Sequence, residues 1–494
     1  MISNLQRIEA VNVMTVAVAD RFLIPTAIMT TNLLAPAQWA QSEFALAELG
    51  DQRRTQRLVN MATCLAQTPT GTLPQAFPEW KDLKATYRFL DHLEFGPDDI
   101  QQPHRQQTLA ACRAPGEYLL IEDTTELDYS SHPKAEQLGY IGNGRGRGML
   151  VHSTLAVRVE AWDLAQAPEG IALGLLAQKS WIRPVTGLRK QSWRQRMRRS
   201  RESDRWARAL AELGAPPPGC QWIYLADREA DFYEPFQRCR QQGLDFIIRE
   251  YHDHKLAGAD EHLSAALAAA PVQGVMPVSL RGRQGELARE AVVSLRHCRV
   301  KWQGPWRPQG RQEDLELNVV EAREMEPPEG VEELHWILLT SLPCERLVEL
   351  KRIVARYAMR WWIEQYHKAL KSGAGIEESQ LEKGFRIENL LAVLAVLAVR
   401  LVNTQWLARN RPDEPVEPES FGLTALEILS AKYATPQGGW TNRSVLIAVA
   451  RLGGFLARKN DGLPGWQTIW RGWHHLLWMC EGLEILKEKA KRCG

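Results

Sequence analysis

The stretch YAMRWWIEQYHKALK, residues 357 to 371, decides how the rest of the chain is read. As a helix turning about 100° per residue, it places Tyr357, Arg360, Glu364 and Lys371 within an arc of roughly 60°, with Lys368 beside them. That face is polar and mixed in charge. The opposite face carries Ala355, Met359, Trp362, Ile363, Tyr366 and Leu370, as a helix docked on an apolar core requires. On pattern alone the polar face is a solvated stripe with one glutamate-to-lysine pairing. Two acids elsewhere in the chain give it another meaning.

The first acid is Asp123, met by the short apolar run of GEYLLIEDTTELDY (116 to 129); VHSTLAVRV (151 to 159) and IALGLLAQKSW (171 to 181) then read as two more strands of a meander. The second is Asp227, at the C-terminal end of WIYLA in QWIYLADREADFYEPFQRC, where a helix begins. Ends of neighbouring strands in an α/β sheet converge, so Asp123 and Asp227 can meet although far apart in sequence. With Glu364 on a helix packed against that sheet, they make an oxygen-rich site for hard divalent cations such as Mg²⁺. Two such ions ~4 Å apart activate a water or a 3′-hydroxyl and stabilise the leaving oxygen at phosphorus. Any one of these acids alone is more often a cap or a solvated charge; the chemistry rests on their joint placement. Arg360 can then fork onto a phosphate, Lys368 and Lys371 supply point charges along a nucleic-acid backbone, and Tyr357 offers a ring and a hydroxyl.

At 494 residues the chain exceeds one core, so several domains are expected. Lys plus Arg number 61 against 59 Asp plus Glu, a net charge of +2, so nucleic-acid contact must come from local clusters. LGDQRRTQRLVN supplies one, with Arg53, Arg54 and Arg57 at one-turn spacing in a largely helical segment that closes with FGPDDI. Residues 181 to 208 supply another, nine Arg and one Lys against one Glu and one Asp, with Trp181, Trp193 and Trp206 interleaved. The eight cysteines show no C-x-x-C spacing, which argues against a zinc site or disulfide framework and for a reducing, cytoplasmic setting.

The most apolar run, LLAVLAVLAV at 390 to 399, is too short to span a bilayer and is closed by Arg400, so a buried helix and no membrane partner are expected. In the first 30 residues Asp20 and Arg21 interrupt the apolar stretch, which reads as an extension rather than a signal peptide, with Met29 a candidate alternative start. After LDFIIRE (244 to 250), short alternating runs separated by Gly, Pro and charges indicate an all-β insertion. Beyond GFRIENLL the chain reads as helical, with one acidic, proline-rich linker at RPDEPVEPESFG.

Asp123 in EDTT, Asp227 in DREADFY and the spacing Tyr-x2-Arg-x3-Glu-x6-Lys at Tyr357, Arg360, Glu364 and Lys371 resemble the DDE transposases of insertion-sequence family four, transposon-five type. The likeness extends to QWAQSEFALAELGDQRRTQRLVN, RGMLVHS (147 to 153), HWILLTS (335 to 341), KSGAG (371 to 375) and ARLGGF (450 to 455), and so covers the chain from about residue 37 onward. The arginine-dense stretch is more basic than the family pattern, and the lysine-rich insertion expected between Ser430 and Asn442 is missing.

The resemblance implies an α/β fold: a ribonuclease-H-like catalytic core over 101–252 and 346–385, interrupted by a β-rich insertion over 253–345. An extension at 1–36, a helical DNA-end-binding domain at 37–100 and a helical dimerisation domain at 386–494 flank it. It implies a bacterial, nucleoid-associated enzyme with Mg²⁺, or Mn²⁺ as substitute, at two ions per site. It further implies a homodimer that pairs two double-stranded transposon ends, nicks each, forms and reopens a hairpin, and joins the 3′ ends to target DNA. Asp123, Asp227 and Glu364 become the metal-binding triad, and Tyr357, Arg360 and Lys371 contacts to the DNA end. Trp336 in LHWILL becomes the aromatic residue that stacks on or props a flipped nucleotide; flipping suits a hairpin, which cannot close over stacked terminal bases. A DNA-binding protein that has lost transposition and a structure-specific nuclease of the same fold are the alternatives.

Overall fold

The computed structural model describes residues 36–68, 72–162, 169–183, 204–258, 261–280, 289–308, 310–416, 418–458 and 461–493. The expected N-terminal extension and most of the arginine-dense stretch, residues 184 to 203, lie outside the described residues. The chain divides into two compact units. The first comprises the described residues of Met1–Gln107, Leu127–Met149 and Gln365–Gly494, and the second Thr108–Glu126 and Leu150–Glu364.

The described strands are β1 (Gly116–Asp128), β2 (Gly139–Ile141), β3 (Gly146–Ala161), β4 (Glu169–Trp181), β5 (Cys220–Ala226), β6 (Asp245–Arg249), β7 (Val272–Leu280), β8 (Arg289–Trp302), β9 (Trp306–Arg307), β10 (Gly310–Arg311), β11 (Leu315–Glu324) and β12 (His335–Thr340). In the second unit they follow the order β4-β3-β1-β5-β6-β12-β11-β8-β7. β5 runs parallel to both β1 and β6. The pairs β3/β4, β6/β12, β12/β11, β11/β8 and β8/β7 are antiparallel. Tyr118–Ile121, Trp222–Ala226 and Phe246–Ile248 are buried throughout. Strands covered on both faces must be apolar at every position, which is why these segments read as unbroken hydrophobic runs.

The inserted strands differ. β8 largely alternates buried and accessible positions, the mark of a sheet with one covered face, whereas β11 alternates only at its ends and is buried from Val319 to Ala322. They continue the central sheet, because Leu338, Leu339 and Thr340 of β12 pair with Arg249, Ile248 and Ile247 of β6. The insertion also holds a short helix, Leu263–Ala269, and the small hairpin β9/β10. Within the core, the helix Tyr233–Gln242 stops at Gly243, whose φ of 71° is the left-handed conformation that a side chain disfavours.

The stretch 357–371 is not one regular helix. Leu347–Ala358 ends in a tight turn in which Met359 N–H bonds to Arg356 O and Arg360 N–H to Tyr357 O. A new segment, Trp361–Lys368, then passes into a π-helical turn at Ala369–Gly373. The single continuous helix expected from the sequence is thus interrupted between Tyr357 and Glu364 and again before Lys371. Met and Arg are good helix formers, so nothing in the local composition announces the interruption.

In the first unit the N-terminal helices include Pro36–Phe44, Gln52–Gln67, Trp80–Leu90 and Pro97–Ala111, the last running on past Gln107. Gly384–Asn410 is buried nearly all round, as expected for its apolar run. Even Arg400 is buried, its guanidinium over the Trp39 ring at 5.3 Å, and burial pushes its pKa down to about 10. Among the described residues, no helix is long and apolar enough to cross a membrane. The expected linker at 411–422 is instead tied down: Val416 N–H bonds to Trp440 O and Asn442 N–H to Glu414 O, while Val416 and Phe421 join the core of the C-terminal helices. Its charge and proline hide two well-spaced apolar anchors.

Candidate active site

Three elements of the second unit supply the acids. The parallel register of β1 and β5 pairs Glu122 with Ala226, so the next residues on the two strands are Asp123 and Asp227. Glu122 lies in the core, and strand alternation turns Asp123 to the opposite face. β1 continues to Asp128, so Asp123 sits within a longer strand than its apolar run suggested. Asp227 leaves β5 and caps the turn Arg228–Ala230 by accepting from Glu229 N–H at 2.8 Å. Glu364 comes from the first turn of Trp361–Lys368.

Arg360 joins two of the three. Its Nη1 donates to Asp123 Oδ2 at 3.2 Å, and its Nη2 donates to Glu364 Oε1. Asp123 also accepts from the amide of Thr124 at 2.9 Å. Burial pushes the Asp123 carboxyl up to about 6; Arg360 opposes the rise, while the charges of Asp227 and Glu364 add to it. Burial works against the Arg360 charge, yet the fields of Asp123, Glu364 and Asp227 hold its pKa above the ordinary arginine range. Three carboxylates therefore act on one another around one half-buried cation.

This donor set fits a hard divalent ion: the oxygens are anionic, mutually repelling, and already share a positive charge between Asp123 and Glu364. Among the described residues no group of three or more His, Cys, Asp or Glu side chains stands ready to hold a metal, and the Arg360 guanidinium lies between Asp123 and Glu364.

The remaining expected contacts fare differently. Tyr357 is buried, with its pKa pushed up to about 12 by that burial, and its ring meets Trp336 edge-on at 4.9 Å. Its hydroxyl pairs with Arg249 and lies in the fields of Arg360 and Asp227, while its ring backs Trp336, which is half-buried on β12 opposite Ala322. In the first unit, Lys368 is exposed and makes no ion pair among the described residues, whereas Lys371 lies 3.7 Å from Glu377. Arg53 pairs with Asp51, Arg54 with Glu94 and Arg57 with Asp82, so the arginines expected to grip DNA already have acidic partners.

A different basic face was missed. Trp80, Lys81, Lys84 and Arg88 lie exposed on Trp80–Leu90, and the three cations make no ion pair among the described residues. At about 100° per residue they share one side of the helix. The spacing W-K-x-x-K-x-x-x-R is present in the sequence, but it is less dense in charge than the neighbouring arginine run.

Residues 36–94 match the family model described as Transposase DNA-binding. Residues 183–400, which contain Asp227, Trp336, Arg360 and Glu364, match the Transposase DDE domain, with Asp123 ahead of the matched span. A DDE domain carries a ribonuclease-H-like core, in keeping with the mixed sheet that sets Asp123 beside Asp227. The chain thus carries a transposase DNA-binding domain and a DDE domain, and the DDE domain indicates a metal-dependent DNA transposase enzyme.

Proposed function

We propose that the chain is a cut-and-paste transposase of the transposon-five type, with Asp123, Asp227 and Glu364 as its metal-binding acids. The observation that carries this reading is the adjacency of Asp123 and Asp227 at the β1/β5 register, with Glu364 tied to Asp123 through Arg360. Two Mg²⁺ ions, bound there, supply activation of a water or 3′-hydroxyl and stabilisation of the leaving oxygen.

The chain's own residues do the positioning. Asp123, half-buried within β1, and Asp227, held by the amide of Glu229, give fixed oxygens, while the more exposed Glu364 completes the set from its helix. Arg360 forks onto a phosphate, Lys368 and Lys371 place positive charge along the backbone, and Trp336, backed by Tyr357, offers a face to a displaced base. Lys81, Lys84 and Arg88 contact the phosphates of the terminal repeat, with Trp80 against the sugar or base edges. Two copies of the chain hold two ends, and each end passes through a nick, a hairpin and a reopened 3′-hydroxyl that attacks target DNA.

The test is a Mg²⁺-dependent assay on linear DNA carrying the repeats that flank the coding region, resolved on native and denaturing gels. Hairpin-capped ends are the expected product. Open double-strand breaks without hairpins would move the chain to a nuclease of the same fold, and binding without any cut would make it a DNA-binding protein.

A further inference from the structure

We propose that Arg360 gates the metal: it occupies the cation position between Asp123 and Glu364 until a DNA phosphate takes its guanidinium, so that divalent ion and DNA load together. This gating rests on Asp123, Asp227 and Glu364 being the metal-binding acids proposed above. Arg360 donates simultaneously to Asp123 Oδ2 and Glu364 Oε1, and both the guanidinium and Asp123 are largely shielded from water, at 16% side-chain exposure each. The turn at Met359–Arg360 brings this about, since Arg360 sits at the junction of two helical segments and its side chain reaches β1 as well as the next turn of its own helix.

A divalent ion that used the same two oxygens would meet the arginine there. One guanidinium does not balance three carboxylates, so the site keeps an appetite for positive charge, but the incoming ion must first displace a partner bound on two sides. A phosphate changes the competition, because it offers the guanidinium a planar, two-oxygen partner of the same kind. Arg360 then moves from carboxylates to phosphate, and the freed oxygens face the ion. The consequence is an enzyme that holds metal weakly until DNA is in place, which restrains hydrolysis away from a bound end.

The gate is tested by titrating the DNA-free full chain with Mn²⁺ and following the free-ion signal by electron paramagnetic resonance. Wild type is compared with Arg360→Gln, Arg360→Lys and Asp123→Asn, each checked for a cooperative thermal melt. Arg360→Gln should bind Mn²⁺ about ten times more tightly than wild type or better. Arg360→Lys, which keeps a charge but cannot bridge both carboxylates, should fall between, and it preserves the test if the glutamine variant does not fold. Asp123→Asn should lose the site. Equal affinities in wild type and both Arg360 variants, all lost in Asp123→Asn, would overturn the gate while leaving the metal-binding acids standing. No binding above the Asp123→Asn background in any of them would overturn both.

Discussion

Tyr224 donates its hydroxyl to Glu122 at 2.8 Å, and both side chains are buried. Thr154 donates to the other oxygen of the same carboxylate at 2.7 Å, and His152 Nε2 lies 3.3 Å away, its ring packed on Trp206. One glutamate thus ties β1, β3 and β5 together, immediately before Asp123 on β1 and, through Tyr224, three residues before Asp227. Tyr224→Phe should cost about 1–2 kcal/mol of stability, the loss of one donor to a buried acceptor. Glu122→Ala should cost more, about 3 kcal/mol or above, since it opens a cavity and strands three polar groups. Denaturant unfolding of the two variants reads the order; a Glu122→Ala protein as stable as wild type would mean the network carries no weight.

The motif ARLGGF has a packing reason. A Cβ on Gly472 would stand 1.7 Å from Val449 O and one on Gly453 2.0 Å from Thr468 O, so the helices Asn442–Leu452 and Trp466–Cys493 touch backbone to backbone. Gly472→Ala should therefore destabilise the protein by about 2 kcal/mol or more, because neither backbone can move aside alone. Gly482, on the same helix with open space around it, is the contrasting site. Gly482→Ala should stabilise by about 0.5–1 kcal/mol through helix propensity. Opposite signs in two otherwise identical substitutions are the expected reading of a thermal or denaturant scan.

For DNA, the free cations of Trp80–Leu90 and the paired arginines of Gln52–Gln67 give different expectations. Lys84→Ala and Arg88→Ala should each weaken binding to the terminal repeat, and each should lower the slope of log affinity against log salt by about 1. Arg53→Ala should do less, since Arg53 must leave Asp51 before it can reach a phosphate. Fluorescence anisotropy at several salt concentrations separates the two groups.

Trp336 and Tyr357 form an edge-on pair, so Trp336→Ala removes a face rather than a charge. First-strand nicking should persist while hairpin product falls, by about tenfold if base stacking contributes its usual 1–3 kcal/mol. Equal loss of nicking and hairpin on a denaturing gel would assign Trp336 to the core instead.

The two aspartates of the proposed site were legible because each follows a strand segment that is buried at every position. WIYLA and YLLI announce themselves as unbroken apolar runs, and the acids that follow them stand where the parallel register puts them. The helix was less legible. Periodicity assumes continuity, and the turn at Met359–Arg360 is made of residues that favour helix, so Tyr357 was expected at the surface and is buried. Ion pairs between segments, such as Arg54 with Glu94 and Arg57 with Asp82, have no sequence signature at all, and they decide which basic residues are free to meet DNA.

Under the proposed function, Asp123, Asp227 and Glu364 act as one metal-binding set that cuts DNA without being needed to hold it. The most direct measurement compares wild type with Glu364→Ala, scoring Mg²⁺-dependent cleavage and end binding on the same repeat-bearing DNA. Cleavage abolished with end binding roughly intact is the expected result, because the substitution removes a metal ligand and leaves the DNA contacts in place. Cleavage that survives Glu364→Ala, or binding that disappears together with it, would contradict the assignment.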